Sequence, residues 1–308
     1  MEMIKLIKVG ILMGGVSAER EVSLSSGKMI AEHMDKTKYE TLPITINKQE
    51  DVFSLCKDID FAFLILHGKF GEDGRVQTIL EAMNIPYSGC GPLGSAIAMD
   101  KDITKKILRS DNIRTADWLI IKDINNIDDE KLEKIGYPFF VKPNSGGSSV
   151  ATNLVKNKEE LIKAIEEALK YDKEVMVEQY IKGDEITVSV IDGELYPVIA
   201  IEPKGDFFCY KSKYDRVDGA KEYVIELDEN LNKEVQTMAK NVWNSLKLEG
   251  YARVDMIVSN NVPYILEVNT LPGMGPTSLM PQSYMATGHT YQDLVTKIIE
   301  ISLNLNRN

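Results

Sequence analysis

The sequence predicts a mixed fold: a parallel α/β unit over residues 1–95, then two α+β units over residues 96–182 and 183–308. Three observations carry this. Two short apolar runs, residues 9–13 and 61–66, each end in a glycine-containing turn and give way to helix-like sequence, the alternation that builds parallel sheets. Asp192-Gly193 separates two alternating runs at 186–191 and 195–201, a strong hairpin signal. A second alternating pair, within residues 251–269, flanks Asn260-Asn261.

Residues 9–13 read as a buried strand, followed by Gly14-Gly15 and a helix beginning near Ser17. The helix's apolar positions, Val22, Leu24 and Ile30, fit one face only loosely. Residues 61–66 are a second buried strand ending at His67-Gly68, followed by a helix over 77–83 and a short strand over 85–88. Ligands of parallel sheets collect beyond the carboxyl ends of strands, where Gly14-Gly15 and His67-Gly68 both lie. The second unit opens with a helix over 95–110 and continues with strands at 118–121, 139–142 and 175–180 and an amphipathic helix over 158–170. The third opens with the Asp-Gly hairpin. A loop rich in aromatics and lysine follows over 204–222, then a helix over 228–246 and the closing hairpin.

A chain of 308 residues has room for two or three domains and a sizeable core. The net charge of -11 argues against a general nucleic-acid or anionic-membrane partner and leaves room for a local basic pocket. Cys56, Cys90 and Cys209 are scattered, without metal or disulfide spacing, which fits a reducing cytoplasm. The N-terminus is interrupted by charge and no apolar run reaches membrane-spanning length, so the expectation is a cytoplasmic protein.

The closing hairpin is the most informative stretch. Strands send every second side chain to one face, so Arg253 and Asp255 share a face, as do Glu267 and Asn269. Pairing of 255 with 267 gathers all four. That pairing requires an odd-length loop, because a two-residue Asn-Asn turn separates them. Three hard oxygen donors suit Mg²⁺, and an adjacent arginine suits developing anionic charge. The same pattern also fits a plain polar outer face.

Other segments are ambiguous alone. Lys142-Pro-Asn-Ser-Gly-Gly-Ser148-Ser fits a phosphate cradle or a flexible loop. Glu178 and Glu185 fit ribose- or adenine-binding acids, or solvated strand ends. Lys101 sits on a basic helix whose charged face is ordinarily solvated. Glu19 at a helix start is ordinarily a dipole or capping device.

The order of these segments resembles the ATP-grasp superfamily and, within it, the D-alanine–D-alanine ligases. The likeness spans essentially the whole chain: Gly14-Gly-Val-Ser-Ala-Glu19, Leu66-His67-Gly through Glu72-Asp-Gly, Met99-Asp-Lys101, Val141-Lys142-Pro through Ser149, Lys213-Tyr214, Arg253-Val-Asp255, and Leu266-Glu267-Val-Asn269-Thr-Leu-Pro-Gly273 with Ser278-Leu279. The resemblance implies an ATP-grasp fold and ATP-dependent joining of two D-alanines through an acyl phosphate, for peptidoglycan precursor synthesis. It implies phosphate binding by Lys101, Lys142, Ser148 and Lys213, adenine and ribose contacts from Glu178, Tyr180, Ile181, Glu185 and Phe207, and two Mg²⁺ ions on Asp255, Glu267 and Asn269, with Mn²⁺ able to substitute. Glu19 would bind the first D-alanine's ammonium and link to Ser148 and Tyr214. Arg253 and the Gly273 N–H would stabilise the oxyanion, while His67, Ser278 and Leu279 would serve the second substrate. A homodimer is expected. A related ligase using D-lactate or D-serine is the alternative, and Tyr214 favours D-alanine. A regulatory protein that kept the fold without catalysis would be expected to lack Arg253 or the metal set, and all four residues are present.

Overall fold

The computed structural model describes residues 6–17, 19–147, 149–202 and 220–307. Three sheets organise them. The first runs β1 (Ile7–Gly14), β2 (Tyr39–Ile46) and β3 (Phe61–Leu64), parallel in the order β2-β1-β3. It is flanked by α1 (Arg20–His33), α2 (Asp51–Leu55) and α3 (Arg75–Ala82). Helices α4 (Pro92–Met99) and α5 (Lys101–Ser110) lead to an antiparallel sheet of β4 (Trp118–Ile121), β5 (Phe139–Pro143), β6 (Asn153–Val155) and β7 (Val175–Gln179), ordered β4-β7-β5-β6. Helices α6 (Asp129–Ile135) and α7 (Lys158–Ala168) belong to the same stretch of chain. The third sheet orders β11 (Lys221–Val224), β10 (Ile199–Glu202), β8 (Asp184–Ile191), β12 (Tyr251–Ser259) and β13 (Val262–Asn269), with β9 (Glu194–Leu195) on β8. Helices α8 (Glu229–Ser245), α9 (Leu279–Met285) and α10 (Tyr291–Asn304) complete the described elements.

Four expectations change, each for a local reason. Helix α1 begins at Arg20, not near Ser17, and buries Ser23, Ser26, Gly27 and Ile30. Its inner face is small and polar because it packs close: the Ser23 hydroxyl accepts from Gly14 N at 2.8 Å and donates to Ile65 O. The single helix at 95–110 is two, broken at Asp100, whose extended backbone and carboxylate cap α5 through Ile103 N at 3.0 Å. The strand at 195–201 is interrupted at Pro197, which has no N–H for the ladder. Residues 85–88 contribute only a parallel bridge, Ala62 with Tyr87. Strand β2 carries Pro43 mid-strand and survives because it lies on the sheet edge.

The apolar clusters cross the sequence ranges. Leu294, Val295, Ile298 and Ile299 of α10 pack into the core of the N-terminal sheet. Leu108 of α5 and Ile113 join α8 beneath β8 and β12. In β8 and β12 the even-numbered residues Ile186, Val188, Val190, Val254, Met256 and Val258 form that core, and the odd-numbered ones face the other way. In β5 and β7, Phe139, Val141, Val175 and Val177 pack with α7, leaving Phe140, Lys142, Met176 and Glu178 on the opposite face.

Candidate active site

Those two outward faces enclose a cavity of about 700 Å³. On the β5–β7 wall, Lys142 Nζ donates to Glu178 Oε2 at 2.6 Å. The other oxygen, Oε1, lies 2.5 Å from Nζ of Lys105. Glu178 is 2% exposed, so the solvated strand-end reading does not hold. Burial pushes its carboxyl up, but Lys105 and Lys142 outweigh burial and hold it down at about 2. Burial also opposes the Lys142 ammonium, and Glu178 with Glu267 more than offsets it.

Lys101 reaches the same cavity because of the break at Asp100. It opens α5, where its backbone N–H donates to Asn144 O at 3.3 Å and the next N–H to Asn144 Oδ1 at 2.9 Å. Its ammonium donates to Gly146 O at 2.6 Å. The helix start and the glycine loop thus hold each other, and the face of α5 carrying Lys101, Thr104, Lys105 and Leu108 is buried, not solvated. Gly146, Gly147 and Ser149 line the cavity. Ser148 lies outside the described residues.

On the facing wall the register is Arg253 opposite Asn269 and Asp255 opposite Glu267, so all four share one face. The expected odd-length loop is absent. Ser259 pairs with Val262 across a two-residue Asn260-Asn261 turn with φ of 51° and 62°. A bulge opposite Asp255 and Met256, with Leu266 as the extra residue, restores the parity that this turn breaks. Arg253 grips Asp255 with two hydrogen bonds of 2.8 Å, Nε to Oδ1 and Nη2 to Oδ2. Asn269 Nδ2 donates to Oδ2 at 2.8 Å and Thr187 Oγ1 to Oδ1 at 2.6 Å. Burial works against the guanidinium, and Asp255 overrides it, keeping Arg253 above its ordinary pKa. Lys101 Nζ stands 3.7 Å from Glu267 Oε2, which joins the two walls. Two carboxylates and a carboxamide on one strand pair fit a hard divalent cation such as Mg²⁺, and Asp255 is held in place by its donors without one.

The N-terminal loops meet this face. A Cβ added at Gly147 would stand 3.2 Å from Glu19 Oε2, and one at Gly68 3.1 Å from it, so both loops close on that carboxylate. His67 is buried, its pKa lowered first by burial, and its Nε2 has no hydrogen-bond partner among the described residues. Glu72 accepts from Gly68 N at 2.5 Å. Burial, then the charge of Glu19, pushes the Glu72 carboxyl up to about 8. Beyond β13, a Cβ on Gly273 would lie 3.1 Å from Ser278 Oγ, and Ser278 is the residue before α9. Leu279 packs with Ile199 and Ile201.

Tyr180, Ile181 and Glu185 line the cavity beside Phe140, whose ring is 5.7 Å from that of Tyr180. Phe207, Lys213 and Tyr214 lie outside the described residues. Thr187, Lys105 and Glu72 also stand at this site, although no motif in the sequence marks a role for them. Thr187 alternates with Glu185 on β8, and Lys105 follows Lys101 by one helical turn, so strand and helix periodicity carried both signals.

The family model described as "D-ala D-ala ligase C-terminus" matches residues 107–300, and the N-terminal counterpart matches 8–55 and 48–90. A D-alanine–D-alanine ligase of Clostridium botulinum is 57% identical over 301 residues, spanning 98% of this chain and 100% of its own length. The crystal structure of the D-alanine–D-alanine ligase from Bacillus anthracis complexed with ATP superposes with a TM-score of 0.89 at 45% identity, over 97% of this chain and 98% of that one. The VanG D-Ala:D-Ser ligase of Enterococcus faecalis gives a TM-score of 0.83 at 29% identity, over 97% and 100%.

Proposed function

The chain belongs to the D-alanine–D-alanine ligase family, and from that premise we propose that it joins two D-alanines at the expense of ATP, supplying a peptidoglycan precursor. One observation carries the reading: two lysines on one cavity wall, Lys101 and Lys142, face two carboxylates on the other, Asp255 and Glu267. Phosphoryl transfer is chiefly positioning and charge neutralisation, and this cavity offers cations and hard oxygen donors together. ATP enters with its base among Phe140, Tyr180, Ile181 and Ile201, its ribose toward Glu185, and its phosphates toward Lys101, Lys142 and the 146–149 loop. Phe207, Lys213 and Ser148 join them by family likeness. Asp255, Glu267 and Asn269 would hold Mg²⁺, two ions by that likeness, and Mg²⁺ bound there neutralises charge on the phosphates.

The first D-alanine's carboxylate takes the γ-phosphoryl group, releasing ADP. Glu19 holds that substrate's ammonium, and by family likeness Ser148 and Tyr214 would link to Glu19. The second D-alanine, in its free-amine form, attacks the acyl carbon; the tetrahedral intermediate expels phosphate and loses the amine proton. Arg253 and the Gly273 N–H meet the oxyanion, a contribution of about 3–4 kcal/mol per donor in other enzymes. Ser278 and Leu279, with His67 nearby, hold the second carboxylate. Enclosure between the loops keeps water from the acyl phosphate.

D-Alanine is favoured as second substrate, because the relative 57% identical over 98% of this chain is a D-alanine–D-alanine ligase. Among the described residues no helix is long and apolar enough to cross a membrane. Cytoplasmic residence and a homodimer complete the proposal. The test is phosphate release from ATP with D-alanine alone, against D-alanine plus D-lactate or D-serine. Release with D-alanine alone is expected, and none would overturn the reading.

A further inference from the structure

Helix α5 carries a second buried lysine that no step above uses. Lys105 is 1% exposed. Its Nζ donates to Thr115 Oγ1 at 2.6 Å and to Ala116 O at 3.2 Å, and lies 2.5 Å from Glu178 Oε1. Two hydrogen-bond acceptors and a carboxylate oxygen surround the ammonium. Burial lowers the Lys105 pKa, and the charge of Glu178 opposes that shift. Lys105, Glu178 and Lys142 form a line from behind the wall to the cavity, and of the three only Glu178 and Lys142 line it. The neighbouring Arg109 is turned away, paired with Asp117 and set 4.5 Å over the Trp118 ring.

One lysine would neutralise one buried carboxylate, so a second asks for a reason. Lys142 is the one that can move. It sits at the cavity surface, and a nucleotide's phosphate oxygens compete with Glu178 for it. Were Lys142 the sole counter-ion, ATP would strand a buried carboxylate, a costly arrangement. Lys105 cannot follow Lys142, because Thr115 and Ala116 hold it behind the wall, and Thr115 is itself anchored by donating to Ile265 O at 2.8 Å.

We infer that Lys105 is a positioning residue, the resident counter-ion of Glu178, which keeps that carboxylate ionised while Lys142 is handed to the triphosphate. The inference rests on the nucleotide reading above. It makes the pair Lys105–Glu178 a fixed part of the wall and Lys142 a cation shared between two anions in turn.

The test compares the unaltered full chain with Lys105→Met and with Lys105→Met/Glu178→Gln. Binding of a non-hydrolysable ATP analogue with Mg²⁺ is measured alongside KM for ATP, KM for D-alanine and kcat. Lys105→Met is expected to weaken analogue binding and raise KM for ATP by about tenfold or more, with KM for D-alanine within about twofold. The double variant is expected to bind the analogue more tightly than Lys105→Met but less tightly than the unaltered chain, since glutamine needs no counter-ion while the Glu178 contact to the nucleotide is altered. A merely packing role for Lys105 would leave the double variant no better than the single one, and that result overturns the inference. Unchanged nucleotide affinity in Lys105→Met overturns it too, while the nucleotide reading stands. Failure of the unaltered chain to bind the analogue overturns both. If Lys105→Met does not fold, a folded, nucleotide-binding double variant supports the counter-ion role, and an equally unfolded one refutes it.

Discussion

Replacing Thr187 with valine keeps the side-chain shape and deletes a single hydroxyl. That hydroxyl donates to Asp255 Oδ1 at 2.6 Å from a site 1% exposed. A hydrogen bond to a charged acceptor contributes roughly 1.5–3 kcal/mol. The lower part of that range applies here, because Oδ1 keeps Arg253 Nε at 2.8 Å and is not left unsatisfied. Urea unfolding should therefore show a loss of about 1.5–2 kcal/mol with an unchanged slope. The second consequence lies at the site. Partners of a metal-ligating carboxylate typically carry about 10–100-fold in metal affinity. Two Arg253 bonds and one from Asn269 still orient Asp255. The Mg²⁺ concentration for half-maximal activity should then rise by about tenfold, the low end, with little change in kcat once Mg²⁺ saturates. An unchanged urea midpoint together with an unchanged Mg²⁺ requirement would refute the assignment of Thr187 as the prop beneath Asp255.

Two further outcomes follow from the same face and its neighbouring loop. Arg253→Ala should keep ATP binding while turnover falls by about 10²–10³-fold, measured by equilibrium nucleotide binding and steady-state kinetics; full turnover would remove the arginine from its role. The Glu72 carboxyl is raised to about 8 in the folded chain from an ordinary 4.5, so the folded state binds the extra proton between those values and stability falls as pH rises through them. Glu72→Gln removes that dependence: relative to the unaltered chain the variant should gain stability from pH 5 to pH 8 in urea titrations, and a pH-independent difference would contradict it.

Much of the site was legible because it is written in periodicities. Alternation put Arg253 with Asp255 and Glu267 with Asn269 on shared faces, and the correct pairing of 255 with 267 could be named. The device that achieves it could not. A tight Asn-Asn turn and a one-residue bulge at Leu266 cancel in parity, and a bulge leaves little trace in a hydrophobic pattern. The break at Asp100 was hidden because residues 92–110 keep helical composition on both sides of it. Asp100 acts as a cap through its own backbone conformation and its bond to Ile103 N.

Sequence by itself determined the fold class and the family and pointed to the residues proposed for the chemistry, since ordered motifs and strand alternation are properties of the chain alone. Tertiary structure decided which charges meet. Glu178 reads as a strand-end acid until β4, β5 and β7 bury it and α5 brings Lys105 from more than seventy positions away. Lys105 reads as one of several lysines on a basic helix until the fold removes its water. The physical reason is that a charge's role depends on its dielectric surroundings and its partners, and both are set by elements distant in sequence.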